Sequence, residues 1–272
     1  MRILLAGSTG VIGRRLTPLL TGSGHDVTGL GRGDADVLVD VLDRHAVAAA
    51  VRETRPDVII HQLTSLSGRD FAANARLRRQ GTRNLVDAAL ACGVRRIIAQ
   101  SISWAYEPGL EPATEQTPLD LDAPEPRRTT VGGAAALEEA VREAPEWVIL
   151  RYGTLYGPTT WYARDGAMAQ RAAAGKLPAD LDVSSFLHLD DAAAAAAAAL
   201  DWPSGPVNVC DDHPAPAAAW VPAFCAAVGA PAPAAVEGDR HGWARGASNH
   251  YARTSLGWTP RYPSWRDGFA TL

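Results

Sequence analysis

The stretch that most limits what this chain can fold into is its start, where the apolar run Ile3-Leu4-Leu5-Ala6 meets Gly7-Ser8-Thr9-Gly10-Val11-Ile12-Gly13. Beyond the glycines, Val11, Ile12, Leu16, Leu19 and Leu20 recur at helical spacing, which predicts a strand, a tight turn and a helix in succession. Gly7 permits the sharp turn, Gly10 lets the backbone approach an anion, and Gly13 lets the helix pack close to the strand. Free N–H groups at the helix start then face a phosphate.

The alternation continues. Asp26–Leu30 reads as a second strand ending at Gly31-Arg32-Gly33, 37–41 as a third, and 45–55 as an amphipathic helix. Val58–His61 is a short buried strand, 71–92 a long helix closed by Gly93, and 95–100 a fifth strand. Strands alternating with helices mean an α/β protein with a parallel sheet. With 272 residues there is room for one such domain and a smaller lobe.

The spacing Gly-x-x-Gly-x-x-Gly, with Thr9 before the middle glycine, resembles the short-chain dehydrogenase/reductase superfamily and its extended, epimerase/dehydratase branch. Gly81-Thr82-Arg83-Asn84-Leu85, Leu150-Arg151 with Tyr156-Gly157-Pro158, Phe186-Leu187-His188, Gly205-Pro206-Val207-Asn208-Val209 and Leu256-Gly257-Trp258-Thr259-Pro260 resemble later motifs, so the likeness spans nearly the whole chain. It implies a Rossmann-type, doubly wound parallel sheet with a small C-terminal substrate-binding lobe. The core would be 1–157 and the lobe mainly 158–272, with 186–212 returning to the core. It further implies that Gly7, Thr9, Gly10, Val11, Ile12 and Gly13 hold a dinucleotide. Asp40 would meet the adenine amino group beside Val41, and Leu63 and Ser101 would pass along the cofactor.

An acid at the end of the second strand would read the ribose 2′-hydroxyl, but Leu30 and Gly31 stand there and Arg32 follows. Arginine accepts a 2′-phosphate, which favours NADP(H) over NAD(H). The competing reading is a solvated loop arginine.

The family's catalytic hydroxyl lies four residues before the tyrosine of its Val-Tyr-Gly segment. Counting back from Tyr106 gives Ile102, flanked by Ser101 and Ser103, either of which could serve. The family's Tyr-x-x-x-Lys falls on Thr130 and Ala134. No shift of alignment restores it, because the only lysine is Lys176 and Ala172 stands four residues earlier. The usual proton relay, a tyrosine acidified by a neighbouring lysine, is therefore unavailable. Candidate substitutes are Ser103, Tyr152, Tyr162 or a water. Trp161 and Tyr162 follow the Tyr-Gly-Pro turn and are read as a pocket wall with Ser103, Thr130 and Tyr152. His61 and His188 are read as structural, Gly81 as a helix-packing residue, Trp258 and Trp265 as core, and Asp190 or Asp191 as a helix cap.

A net charge of −4 and pI near 6.0 give no footprint for nucleic acid or an anionic membrane. Cys92, Cys210 and Cys225 are too scattered for a disulfide framework or a metal pair, which points to a reducing cytoplasm. No leader is expected ahead of the first strand, and the alanine run 192–200 is about half the ~20 residues that span a bilayer. Pairing of the helices at 71–92 and 132–143 would make a homodimer. Three functions stay open: an NADP-dependent reductase of an apolar or activated small molecule, a redox-silent isomerase, cyclase or dehydratase, and a non-catalytic NADP-binding sensor.

Overall fold

Strands and helices alternate from the first residues of the chain: β1 (Arg2–Ala6), α1 (Gly13–Gly22), β2 (Asp26–Gly31), β3 (Val37–Leu38), α2 (Arg44–Thr54), β4 (Val58–His61), α3 (Phe71–Arg76), α4 (Thr82–Ala91), β5 (Arg96–Ile102), α5 (Arg127–Val141) and β6 (Glu146–Tyr152). There follow β7 (Thr154–Tyr156), α6 (Ala167–Ala173), β8 (Val183–Ser184), β9 (Phe186–His188), α7 (Leu189–Ala198), β10 (Gly205–Val209), β11 (Ala215–Pro216), α8 (Ala217–Val228), α9 (His250–Thr254) and α10 (Trp265–Phe269). This computed structural model describes residues 1–272 except Ser67 and Ala235.

Seven strands form one sheet in the order β3-β2-β1-β4-β5-β6-β10, the Rossmann-type order expected. β1 lies between two parallel neighbours, with Leu5 opposite Gly29 of β2 and Ile60 of β4. The chain leaves β1 in both directions, so the strand order reverses between β1 and β4.

Two compact units divide the chain, and neither is a single stretch: 1–101, 119–150 and 193–206 form one, and 102–118, 151–192 and 207–272 the other. Segments 102–118 and 151–157, which the sequence reading put in the first lobe, cluster with the second. In the first unit, α2, α4 and α5 bury Val47, Val51, Leu85, Val86, Leu137 and Val141 in one core with Leu4, Ile59, Ile97 and Ile149 of the strands. Gly81 is a close-packing position, as its motif implies, but the contact is with the segment after β3 and not with a strand, since a Cβ there would lie 2.6 Å from Val41 Cγ1.

Sequence and structure differ at element ends. The third strand stops at Leu38: Val39 N still donates to Gly31 O, but Asp40 Oδ1 then accepts from Leu42 N and turns the chain. β5 runs on to Ile102, and α5 starts at Arg127. The long helix is interrupted by a π turn at Leu77–Gly81 before closing at Gly93, which has φ +74°.

The second unit has an aromatic core. Tyr156, Phe186, Trp220, Phe224, Trp265 and Phe269 are buried together, largely edge to face. A polar bolt ties its segments: Arg151 Nη1 donates to Tyr106 Oη at 3.0 Å, Tyr106 Oη to Asn208 Oδ1, and Asn208 N to Glu115 Oε1 at 2.9 Å. Tyr106, Glu115, Arg151 and Asn208 thus share one structural task. Trp258 is buried as expected. His188 accepts from Asp190 N, and Asp191 accepts from the N–H groups of Arg261 and Tyr262, so its carboxylate secures the C-terminal segment.

Candidate active site

The glycine turn after β1 leaves space for backbone alone. Gly7 has φ +94°, and a Cβ on it would lie 2.9 Å from the Gln62 carbonyl carbon. On Gly10 a Cβ would lie 3.2 Å from Gly7 O, and on Gly13 2.1 Å from the same oxygen. Gly10 N donates to Gly7 O and Arg14 N to Gly10 O, so the N–H groups of Val11, Ile12 and Gly13 form the positive head of α1. A cradle of this form fits a pyrophosphate.

Beside it, still in the first unit, Arg32, Asp40, Val41 and Leu63 line one cavity of about 150 Å³. Four residues chosen from sequence thus meet in one place. Arg76, which the sequence reading passed over, lines it too, with Nε donating to Gln80 Oε1 at 3.0 Å. Its helical position gave no signal, because nothing in the local pattern says which face of α3 looks towards β3.

A buried polar cluster lies near the ends of β4 and β5. His61 Nε2 is 2.9 Å from Thr82 Oγ1 and its Nδ1 accepts from Leu63 N at 3.2 Å; burial, helped by the charge of Arg78, pushes its pKa down to about 4. The imidazole is therefore neutral and structural. Ser101 Oγ donates to Glu138 Oε1 at 2.7 Å. Thr130 and Ala134, where the resemblance puts the proton relay, are both buried in α5, and neither is an ionisable group.

In the second unit Ser103, Thr154, Ser184 and Ser185 line a cavity of about 270 Å³ together with Trp104 and Trp243. Ser103 is where a pocket residue was expected. Tyr152, Trp161 and Tyr162 are not among the lining residues. Tyr152 Oη donates to Ala192 O at 3.3 Å. Trp161 packs against the aromatic core, and the Tyr162 ring sits within it, 5.4 Å from Phe224 and 5.6 Å from Phe186, where burial raises its pKa to about 12. The aromatic wall of this cavity is instead made by Trp104 and Trp243, which are far apart in sequence. None of the lining residues is ionisable.

Residues 3–210 match the model of the NAD dependent epimerase/dehydratase family. The chain belongs to that family. It is 48% identical to a 3-diazoavenalumate denitrifying reductase of Streptomyces sp over 98% of this chain and 99% of that protein. It is 34% identical to a dTDP-4-dehydrorhamnose reductase of Streptomyces griseus, over 57% of this chain and 50% of that one. Among solved structures it is similar to a short-chain dehydrogenase/reductase superfamily protein from Agrobacterium tumefaciens with bound NAD, at TM-score 0.78 and 25% identity over 100% and 96% of the two chains. The UDP-glucose 4-epimerase of Thermus thermophilus, in complex with NAD, gives TM-score 0.76 and 25% identity over 99% and 97%. The protein is thus an NAD(P)-dependent enzyme of the reductase kind. No helix among the described residues is long and apolar enough to cross a membrane.

Proposed function

We propose that the protein reduces an aryl diazonium compound, replacing dinitrogen by hydride. The observation that carries this reading is the second unit's cavity, which has two indole walls and no ionisable lining group. Reduction of a carbonyl needs a proton for the oxygen, whereas a diazonium carbon that takes up hydride releases N₂ and needs none: Ar–N₂⁺ + H⁻ gives Ar–H + N₂. The near full-length similarity to a denitrifying reductase supports the same class of substrate. A pocket without acid or base offers nothing to an isomerase or dehydratase.

When bound, the reduced nicotinamide supplies the hydride. The glycine cradle and the head of α1 would hold its pyrophosphate, and Val41, Leu63 and Asp40 its adenosine. Two arginines in one cavity, Arg32 and Arg76, suit a 2′-phosphate, so NADPH is the preferred donor. Trp104 and Trp243 line this cavity, and their indole rings suit a cationic aryl substrate. Ser103 supplies a hydroxyl to orient the substrate. Loss of a positioned acid costs ~10²–10⁴ in rate only where the reaction uses one. The protein acts as a homodimer in the cytoplasm, where its unpaired cysteines stay reduced.

The test incubates the enzyme with an aryl diazonium carboxylate and NADPH deuterated at C4. One N₂ released per NADPH consumed, with deuterium at the former diazonium carbon, is the expected result. N₂ released without NADPH consumption, or arene without deuterium, overturns it.

A further inference from the structure

Arg78 is 2% exposed, and its Nη1 has no hydrogen-bond partner among the described residues. It stands in the π turn, which packs against α5. The two helices approach closely nearby: a Cβ on Gly133 would lie 2.9 Å from the Cα of Ala75. Burial draws the Arg78 pKa down to about 10 while Glu138 works against that, so the guanidinium is charged at neutral pH. Glu138 does not accept from Nη1; its oxygens take the Ser101 hydroxyl at 2.7 Å and Arg142 Nη2 at 3.3 Å. A buried cation with an idle donor is costly unless a ligand supplies the acceptor.

Position indicates which ligand. His61, whose pKa Arg78 perturbs, is the last residue of β4, and Ser101, bonded to Glu138, stands at the end of β5. The charge therefore lies beside the carboxyl ends of β4 and β5, the edge along which open α/β sheets bind ligands. Farther along that edge are the cradle after β1 and then the Arg32–Asp40 cavity after β2 and β3. A dinucleotide with its pyrophosphate in the cradle and its adenosine in that cavity brings its other nucleoside to β4 and β5. Gln62, directly after His61, adds a buried amide with neither Nε2 nor Oε1 partnered among the described residues.

We propose that Arg78 donates to the ribose hydroxyls of the nicotinamide nucleoside, supplying from the π turn the cation that Ala134 does not supply from α5. This rests on the dinucleotide-binding reading above. Arg78 is a cofactor-positioning residue with no part in proton transfer.

The test measures binding to the cofactor-free protein by calorimetry, with NADPH and with adenosine 2′,5′-bisphosphate, which lacks the second nucleoside. The variant Arg78→Met/Glu138→Gln removes the cation without stranding its counter-charge. NADPH should weaken about tenfold to a hundredfold, the scale of a charge-assisted hydrogen bond, with the bisphosphate unchanged. NADPH affinity within about twofold of wild type, or parallel loss of both ligands, overturns the proposal. Wild-type protein binding neither ligand would overturn it together with the reading on which it rests. If the double variant does not fold, Arg78→Lys decides: weaker NADPH with unchanged bisphosphate supports the proposal, and two unchanged affinities overturn it.

Discussion

Ser101 Oγ donates to Glu138 Oε1 at 2.7 Å, with the two residues 0% and 1% exposed, so the end of β5 is pinned to the last turn of α5. The hydroxyl's proton is thereby directed at a carboxylate. Ser101→Ala would leave a buried carboxylate one donor short, at a cost of about 1–3 kcal/mol. Urea unfolding should show that loss, while NADPH affinity stays within about twofold. An unchanged midpoint with weakened NADPH would reassign Ser101 to the cofactor.

Gly13→Ala should abolish dinucleotide binding. The new methyl would meet Gly7 O at 2.1 Å, and both groups are backbone-anchored, so the turn must open. Overpacking of this kind costs ~1–3 kcal/mol. A folded variant with a lowered melting temperature and no NADPH fluorescence enhancement is expected; wild-type affinity would show that the turn relaxes without harm.

Low pH should act partly through His61. Its imidazole already uses both nitrogens when neutral, and adding a proton at Nδ1 would break the bond from Leu63 N. Unfolded, it titrates near 6.5, and folded near 4. Between those values the unfolded chain binds the proton and the folded one does not, so this contribution to stability is present above pH 6.5 and lost as pH falls towards 4. Imidazole NMR shifts that stay neutral to about pH 4 would confirm the sign; a midpoint near 6.5 would refute it.

Arg32→Ala and Arg76→Ala should each cut the preference for NADPH over NADH by about tenfold, the scale of one charge-assisted contact. Both side chains line the cavity beyond β3. Paired titrations with NADPH and NADH give the ratio. Equal weakening of both cofactors would mean that the arginines meet something other than the 2′-phosphate.

What the sequence made legible was local. The glycine turn and the strand cores follow from spacing along short segments, and Arg32 from its place after the second strand; Asp40, Val41 and Leu63 came from the family resemblance, and the structure brings all four to one cavity. Contacts between distant segments were not legible. Trp104 and Trp243 share a cavity across more than a hundred residues of chain, and no periodicity joins them. Tyr162 looked like a pocket residue because of its neighbours in sequence, but its ring belongs to the core with Phe186 and Phe224. Arg78 drew no notice because a charged residue inside a helical pattern ordinarily faces water.

The π turn at Leu77–Gly81 acts as a phase shifter. One residue of winding corresponds to about 100° of azimuth in an α-helix, and the inserted residue lets the two halves of the helix address different neighbours. Phe71–Arg76 packs on α5, and Thr82–Ala91 keeps contact with α5 while adding α2. Deleting a residue from the turn would return the helix to regular winding and rotate its second half, Gly81 with it, away from Val41. The strands would remain intact, but the seat that fits a glycine against that valine would face elsewhere.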